Sequence, residues 1–572
     1  MSGHSARSFT LSREAKTGVG IFLFALVLRL IGITWGLPNA LHFFSYHPDE
    51  YPIWNYAQKL DPAHFNFTPG FYNYGTLYLT VVKVLTDMVT AYGGGPAGKD
   101  PLSSALFIGR CQLAGRVAVA CCGAGMASTV WAIMRRWTSS WGAALGALLV
   151  AGAPAALVHS RFQTVDIPAA FLWGLSTLYA LKLIPSPADS LTADAKLRLR
   201  YALLSGLFAG FSAGTKYTGI LALLTLLVVL LVVRKPGDLK AATLGLLAAL
   251  VAMLAGTPGM LLDTAAFMRD LRFESHHAQV GQIEFYGTAP GYVYHLQNLG
   301  IGFGYVPLIV GIVGLAIAAL RRKHLWAIAT LAAAVPYYLL IGGEELKFLR
   351  YTFPLFIPLA CAVAWILGGA LTKLSGTEEA KRLVAVFANI VVFAQLLVTG
   401  VMATVDMVNT DSRDIAGQYL HDAATASATD KSVGLVADPW FWSPAVFPMA
   451  AGPRPADGLF PAMNAATHPR VLMYSEAPDR IDWDARLLSE DKPDYVTFTD
   501  YSFLTLDRFK ASGWKENAAP VLVARYEEFM DHLQAGYTLD RTIGAGMSRR
   551  DLPPDMLYTG MVAQIWKRKE LH

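Results

Sequence analysis

Apolar runs of roughly 15 to 23 residues recur between Thr17 and Thr404, parted only by short charged stretches, and a bilayer-crossing helix needs about 20 such residues. No soluble core hides that much apolar surface. Only 16% of the 572 residues are charged against 54% hydrophobic, where soluble domains carry about 25% charged residues. The bilayer is therefore the expected solvent for the first two thirds of the chain.

The runs predict eleven spans, at 18–37, 107–133, 139–158, 167–184, 200–215, 218–233, 240–257, 298–320, 325–341, 351–371 and 383–404. Basic residues fall in alternate short loops: Arg135 and Arg136, then Lys196, Arg198 and Arg200, then Arg234, Lys235 and Lys240. The series continues through Arg321, Arg322 and Lys323 to Lys373, Lys381 and Arg382. By the positive-inside rule these loops are cytoplasmic. Segments 38–106, 159–166, 258–297 and 342–350 then face outward, with Gly214 to Lys216 at the outer tip of a hairpin. An odd number of spans places 405–572 on the same outer side.

Residues 1–404 form the expected membrane domain and 405–572 a soluble α/β domain, with strand-like runs at Ser432 to Ala437 and Tyr495 to Thr499 and a helical pattern at Arg413 to Ala423. The stretch Pro52 to Leu60 and the aromatic run Phe65 to Tyr78 are too short and polar to span, and are expected to lie as interfacial helices. Arg29, inside the first span, is expected to pair internally or snorkel. The aromatic stretch Asp438-Pro-Trp-Phe-Trp-Ser-Pro reads either as membrane-interfacial or as ordinary core. The net charge of +5 is spread through short loops and makes no continuous basic surface, so no nucleic-acid partner is expected.

The sharpest local feature is Tyr46-His47-Pro48-Asp49-Glu50-Tyr51, just past the first span. Adjacent carboxylates near a bilayer are costly unless solvated or paired. Together with Leu28-Arg-Leu-Ile-Gly-Ile-Thr-Trp-Gly-Leu-Pro38 this motif resembles the opening of bacterial membrane glycosyltransferases of the GT-C type, in the family-39-like branch of protein O-mannosyltransferase and aminoarabinose transferase relatives. The resemblance implies a polyprenyl-phosphate-linked sugar donor, an extracytoplasmic acceptor, an inverting displacement and a bacterial inner-membrane location with residues 405–572 on the periplasmic side. It also implies a first-loop carboxylate as base. Asp49 takes that role by carry-over, with Glu50 as the alternative or as the residue that orients Asp49.

Ser160-Arg161-Phe-Gln-Thr-Val-Asp166-Ile-Pro resembles the family's second outer-loop motif. Asp166 is expected in the sugar pocket or as a cap of the helix that follows, with His47 and Arg161 beside it as substrate-binding candidates. A leaving lipid phosphate needs cations at the outer headgroup level. Lys216, in Gly210-Phe-Ser-Ala-Gly-Thr-Lys-Tyr-Thr-Gly, and Lys347 and Arg350, in Glu344-Glu-Leu-Lys-Phe-Leu-Arg-Tyr351, qualify by position. Inversion at an anomeric carbon needs one base on the acceptor hydroxyl. A phosphate departs as a stable anion and needs no protonating acid.

Glu274, His276, His277 and Glu284 offer donor atoms that divalent metals use, but their spacing matches no established ligand pattern. No cofactor is assigned, and the resemblance leaves a divalent ion open. Two other readings use the same features: a transporter or flippase of lipid-linked sugars, and a glycan polymerase or ligase with lipid-diphosphate donors. Transporters place polar residues near the bilayer midplane on broken helices within inverted repeats, whereas here the polar residues gather at one face.

Overall fold

A computed structural model describes residues 12–98, 100–185, 194–321, 324–370, 377–426, 431–437, 440–446, 470–472, 481–514, 519–544 and 552–569. Arg322, Lys323, Lys373, Asp438 and Pro439 of the features above lie outside these residues. Among the described residues four helices are long and apolar enough to cross a membrane: Pro101–Met134, Asp238–Gly256, Leu325–Gly342 and the stretch Leu349–Gly369. Shorter or broken helices occupy most of the other apolar runs.

The breaks have local causes. The run 139–158 divides into Ser140–Gly152 and Pro154–His159. Pro154 has no N–H to give the carbonyl of Val150, four residues back. Arg29 fills the gap: its fully buried guanidinium donates to the carbonyls of Val150 (3.2 Å) and Ala151 (3.1 Å) and to Ser160 Oγ (3.1 Å). The run 298–320 is not one straight span. It belongs to Gly291–Phe303 and Tyr305–Leu320, bent by 115° at Gly304, whose φ of 102° is open to glycine and strained for other residues. The run 200–233 breaks at Lys216 between Ala195–Thr215 and the tight turn Tyr217–Ala222 that leads into Leu223–Val233.

The helices have two chemically distinct ends. At the C-terminal end of Asp166–Leu181 and the N-terminal end of Ala195–Thr215, Arg136 donates to the carbonyls of Leu181 and Ile184, and Arg198 pairs with Asp238 at 2.6 Å. Arg135 and Glu14 form an ion pair nearby in the chain. At the other ends of those two helices lie Asp166 and Lys216, where segments 38–98, 159–166, 258–297 and 342–352 meet.

Loop 38–98 departs from expectation in one respect. Glu50–Ala57 is a helix, but residues 65–76 are not: they run irregularly through Pro69, Gly70 and Gly75 before the 17-residue helix Leu77–Gly93. The irregular stretch is fixed from outside, by Tyr72 N–H on Asp270 (2.8 Å) and Thr76 Oγ1 on the Gly256 carbonyl (3.0 Å). Gly75 packs directly on the Gly214 backbone, with a Cβ there only 2.0 Å from the Gly214 oxygen. That contact sets the aromatic stretch beside Lys216.

Helix Glu378–Val408 runs past residue 404, so the boundary read at 404/405 falls inside a helix. Beyond it, strands β1 (Ser432–Leu435), β2 (Arg470–Leu472), β3 (Tyr495–Thr499), β4 (Tyr537–Ile543) and β5 (Ala563–Arg568) make a mixed sheet in the order β2-β1-β3-β5-β4. β1 pairs in parallel with β2 and β3, while β5 runs antiparallel to β3 and β4. Helices Ser412–Thr425, Tyr501–Ser512 and Ala519–Gly536 accompany it. One hydrophobic cluster joins Trp35, Phe44, Tyr46 and Phe162 to Leu420, Val433, Phe441, Tyr558 and Ile565. The sheet region and the first loop therefore share a core. Phe441, in the stretch read two ways above, is buried in it against Tyr501 and Tyr558.

Candidate active site

Asp49 occupies the N-cap position of Glu50–Ala57 but makes no capping bond with its side chain. Its carboxylate instead faces a cavity of about 390 Å³, where Oδ2 lies 3.3 Å from Arg350 Nη2. Asp49 keeps 38% of its side-chain exposure, whereas Tyr46, His47 and Glu50 of the same motif are buried.

Those neighbours form the frame. Glu50 is fully buried and accepts two hydrogen bonds of 2.7 Å from Arg116, a third of 2.7 Å from the Gln163 backbone N–H, and one from Ser45. Arg116 Nη1 also reaches the carbonyls of Ile33 (2.8 Å) and Trp35 (2.6 Å). One ion pair thus ties the end of the first helix, the acidic motif, helix Pro101–Met134 and the 160–166 loop together. A charge buried this deeply needs its bidentate partner. The geometry sets Glu50 apart from the cavity, contrary to its reading as an alternative base. Arg116 was missed, although an arginine inside an apolar run is itself the signal.

Asp166 is the first residue of its helix, after the N-cap Val165. Its Oδ1 accepts from Lys216 Nζ at 2.6 Å, and its Oδ2 lies 3.7 Å from Arg350 Nε. Lys216 stands at the helix break, extended at φ −145° and ψ 122°, with Nζ 3.8 Å from the centroid of the Tyr351 ring. Arg350 lies between Asp49 and Asp166, packed 3.8 Å over Phe348. Asp49, Asp166 and Asp555 surround its cation with negative charge. Its buried Nη1 makes no hydrogen bond with the described residues and lies 3.9 Å from Asp555 Oδ2.

Tyr74, Tyr217, Tyr337 and Tyr351 line the cavity, with Glu274 held by Asn73 on one wall. Burial raises the Glu274 pKa, an effect that the Asn73 bond and the Lys216 charge only partly oppose.

Three other predicted residues lie off the cavity. Lys347 is buried, pairing with Glu345 at 2.9 Å and reaching Thr288 at 3.3 Å. Arg161 is buried between the first helix and helix Glu378–Val408, donating to the Leu28 carbonyl (2.9 Å) and Thr404 Oγ1 (3.1 Å). His47 stacks among Phe162 and Tyr558, and its Nδ1 accepts from the Asp49 N–H at 3.2 Å. None of these three side chains lines the cavity. Among the described residues no three His, Cys, Asp or Glu side chains gather as metal ligands would.

Residues 101–259 match the family described as dolichyl-phosphate-mannose-protein mannosyltransferase, a stretch that includes Asp166 and Lys216. The apo crystal structure of ArnT from Cupriavidus metallidurans superposes with a TM-score of 0.51 at 16% identity, covering 97% of this chain and 98% of that one. ArnT bound to undecaprenyl phosphate gives 0.49 at 16% identity, over 96% and 97% of the two chains. The apo Archaeoglobus fulgidus oligosaccharyltransferase gives 0.48 at 13% identity, over 90% and 72%. No curated protein sequence matches significantly. The apo ArnT likeness shows that the two chains share a fold.

Proposed function

We propose that this chain, built on the GT-C glycosyltransferase fold, moves one sugar from a polyprenyl phosphate to an extracytoplasmic acceptor by inverting displacement. The observation that carries the reading is one cavity in which Asp49 and Asp166 face Arg350 and Lys216. The family description of residues 101–259 names a dolichyl-phosphate sugar, which supports a lipid-monophosphate donor.

In the proposed reaction Asp49 takes the proton of the acceptor hydroxyl as its oxygen bonds to the anomeric carbon. The bond from that carbon to the phosphate oxygen breaks on the opposite face. The departing phosphate gains negative charge, which the Arg350 guanidinium and the remaining N–H groups of Lys216 meet. Asp166 orients both cations. Glu50, Lys347, Arg161 and His47 support the frame.

We read residues 1–404 as the membrane part with eleven crossings and the remainder as an outer domain, in a bacterial inner membrane. A second cavity, of about 530 Å³, lies between Glu284–Tyr305 and residues 501–508 and 552–557. Its tyrosines, together with Gln297 and Arg508, suit a polar acceptor that approaches between the two parts.

The test is purified protein in liposomes given a panel of radiolabelled polyprenyl-phosphate sugars, scored for release of polyprenyl phosphate. Release by the wild type and not by Asp49→Asn supports the reading. Movement of intact donor across the bilayer without bond cleavage would establish a flippase instead.

A further inference from the structure

Arg350 is held from behind by a residue 205 positions away in the chain. Leu349–Thr352 is a single tight turn that opens helix Phe353–Trp365, and its first N–H groups have no partner within the turn. Asp555, from the turn Pro554–Met556, supplies both acceptors: Oδ1 takes the Leu349 N–H at 3.1 Å and Oδ2 takes the Arg350 N–H at 2.9 Å. The same Oδ2 lies 3.9 Å from Arg350 Nη1 and 3.7 Å from His159 Nε2. The Asp555 side chain has no solvent exposure. A carboxylate at a helix N-terminus is favoured by the dipole as well as by the bonds, so this one holds the backbone of the turn and sets a negative charge beside the guanidinium. Tyr558, three residues on, packs on His47 with ring centroids 5.0 Å apart.

We propose that Asp555 is a positioning residue: segment 552–558, docked into the helical part, caps the turn at Leu349 and sets Arg350 between Asp49 and Asp166. The cavity is then complete only when the sheet region is seated. This inference rests on the reading of the cavity as a lipid-phosphate site for one of its two tests and on geometry alone for the other.

The first test is cryo-electron microscopy of the full chain carrying Asp555→Asn, whose amide faces one of the two N–H donors with another donor. The Arg350 guanidinium is expected to withdraw from Asp49; retention of the 3.3 Å contact overturns the proposal. The second measures binding of a polyprenyl monophosphate in nanodiscs. Asp555→Asn is expected to weaken binding about 10- to 100-fold, the range that hydrogen bonds to charged groups command, yet to add nothing in an Arg350→Ala background. Additive losses would show that Asp555 acts on the fold at large. Should Asp555→Asn fail to fold, Asp555→Glu retains the charge one methylene farther out and is expected to bind two- to ten-fold less tightly than wild type, with wild-type affinity counting against the proposal. A wild type that binds no polyprenyl phosphate would sink the functional reading and leave the microscopy to decide this one.

Discussion

Replacing Glu50 by glutamine separates a framework carboxylate from a catalytic one. In the wild type Glu50 gives Arg116 two bonds of 2.7 Å in a site with no solvent exposure on either side chain. The amide in Glu50→Gln removes the charge, leaves the Arg116 guanidinium buried without a counter-ion, and sets an NH2 against one of its donors. Breaking a buried pair from one side costs about 3–5 kcal/mol. The carbonyls of Ile33 and Trp35 still hold Nη1 and keep the loss toward the lower figure. The assay is thermal unfolding in detergent, run beside sugar release corrected for folded protein. The melting temperature should fall by several degrees, while transfer per folded molecule stays within a few-fold of wild type. The double variant Glu50→Gln/Arg116→Met, which buries no charge, should recover part of the loss. A Glu50→Gln protein that melts like wild type but transfers no sugar would refute the reasoning and move the base from Asp49 to Glu50.

Asp49→Asn should cut transfer about 10²- to 10⁴-fold, the usual contribution of a general base, with little change in melting temperature because its carboxylate supports no backbone group. Lys216→Ala should weaken donor binding by about 1.5–3 kcal/mol, read as a rise in KM. Arg161→Leu should lower the melting temperature and leave KM for the donor unchanged, since among the described residues its bonds run to Leu28, Thr404 and Met407, away from the cavity. Burial raises the Asp414 pKa to about 6 and lowers that of His42, its neighbour at 3.5 Å, to about 4. The raised acid costs stability as pH climbs from about 4 to 6, and the depressed histidine costs stability as pH falls from about 6.5 to 4. The two slopes oppose each other in the wild type. Asp414→Asn should therefore unmask a melting temperature that declines steadily from pH 6.5 to pH 4, measurable by fluorescence.

Four cavity residues, Asp49, Asp166, Lys216 and Arg350, were legible because charge beside an apolar run is expensive and therefore conspicuous. What each charge does was less legible. Glu50 and Asp49 are adjacent in sequence, yet the helix that starts between them turns one toward Arg116 and the other toward the cavity. Lys347 and Arg350 share a charged loop, but Glu345 and Thr288 occupy the lysine. Asp555 carries no local signal at all, because its partners Leu349 and Arg350 are met only through the folded chain. The helix Leu77–Gly93 was missed since Lys83 and Asp87 interrupt its apolar pattern, although at i,i+4 they pair with each other. The bend at Gly304 was hidden by an apolar run that continues across it.

The strut from Asp555 also bears on biosynthesis. Every apolar helix described here precedes it in the chain, so a nascent polypeptide has inserted all of them before the cap on the Leu349 turn emerges from the ribosome. On the role proposed for Asp555, Arg350 lacks its support until then, and the cavity is completed only after the helices are in place.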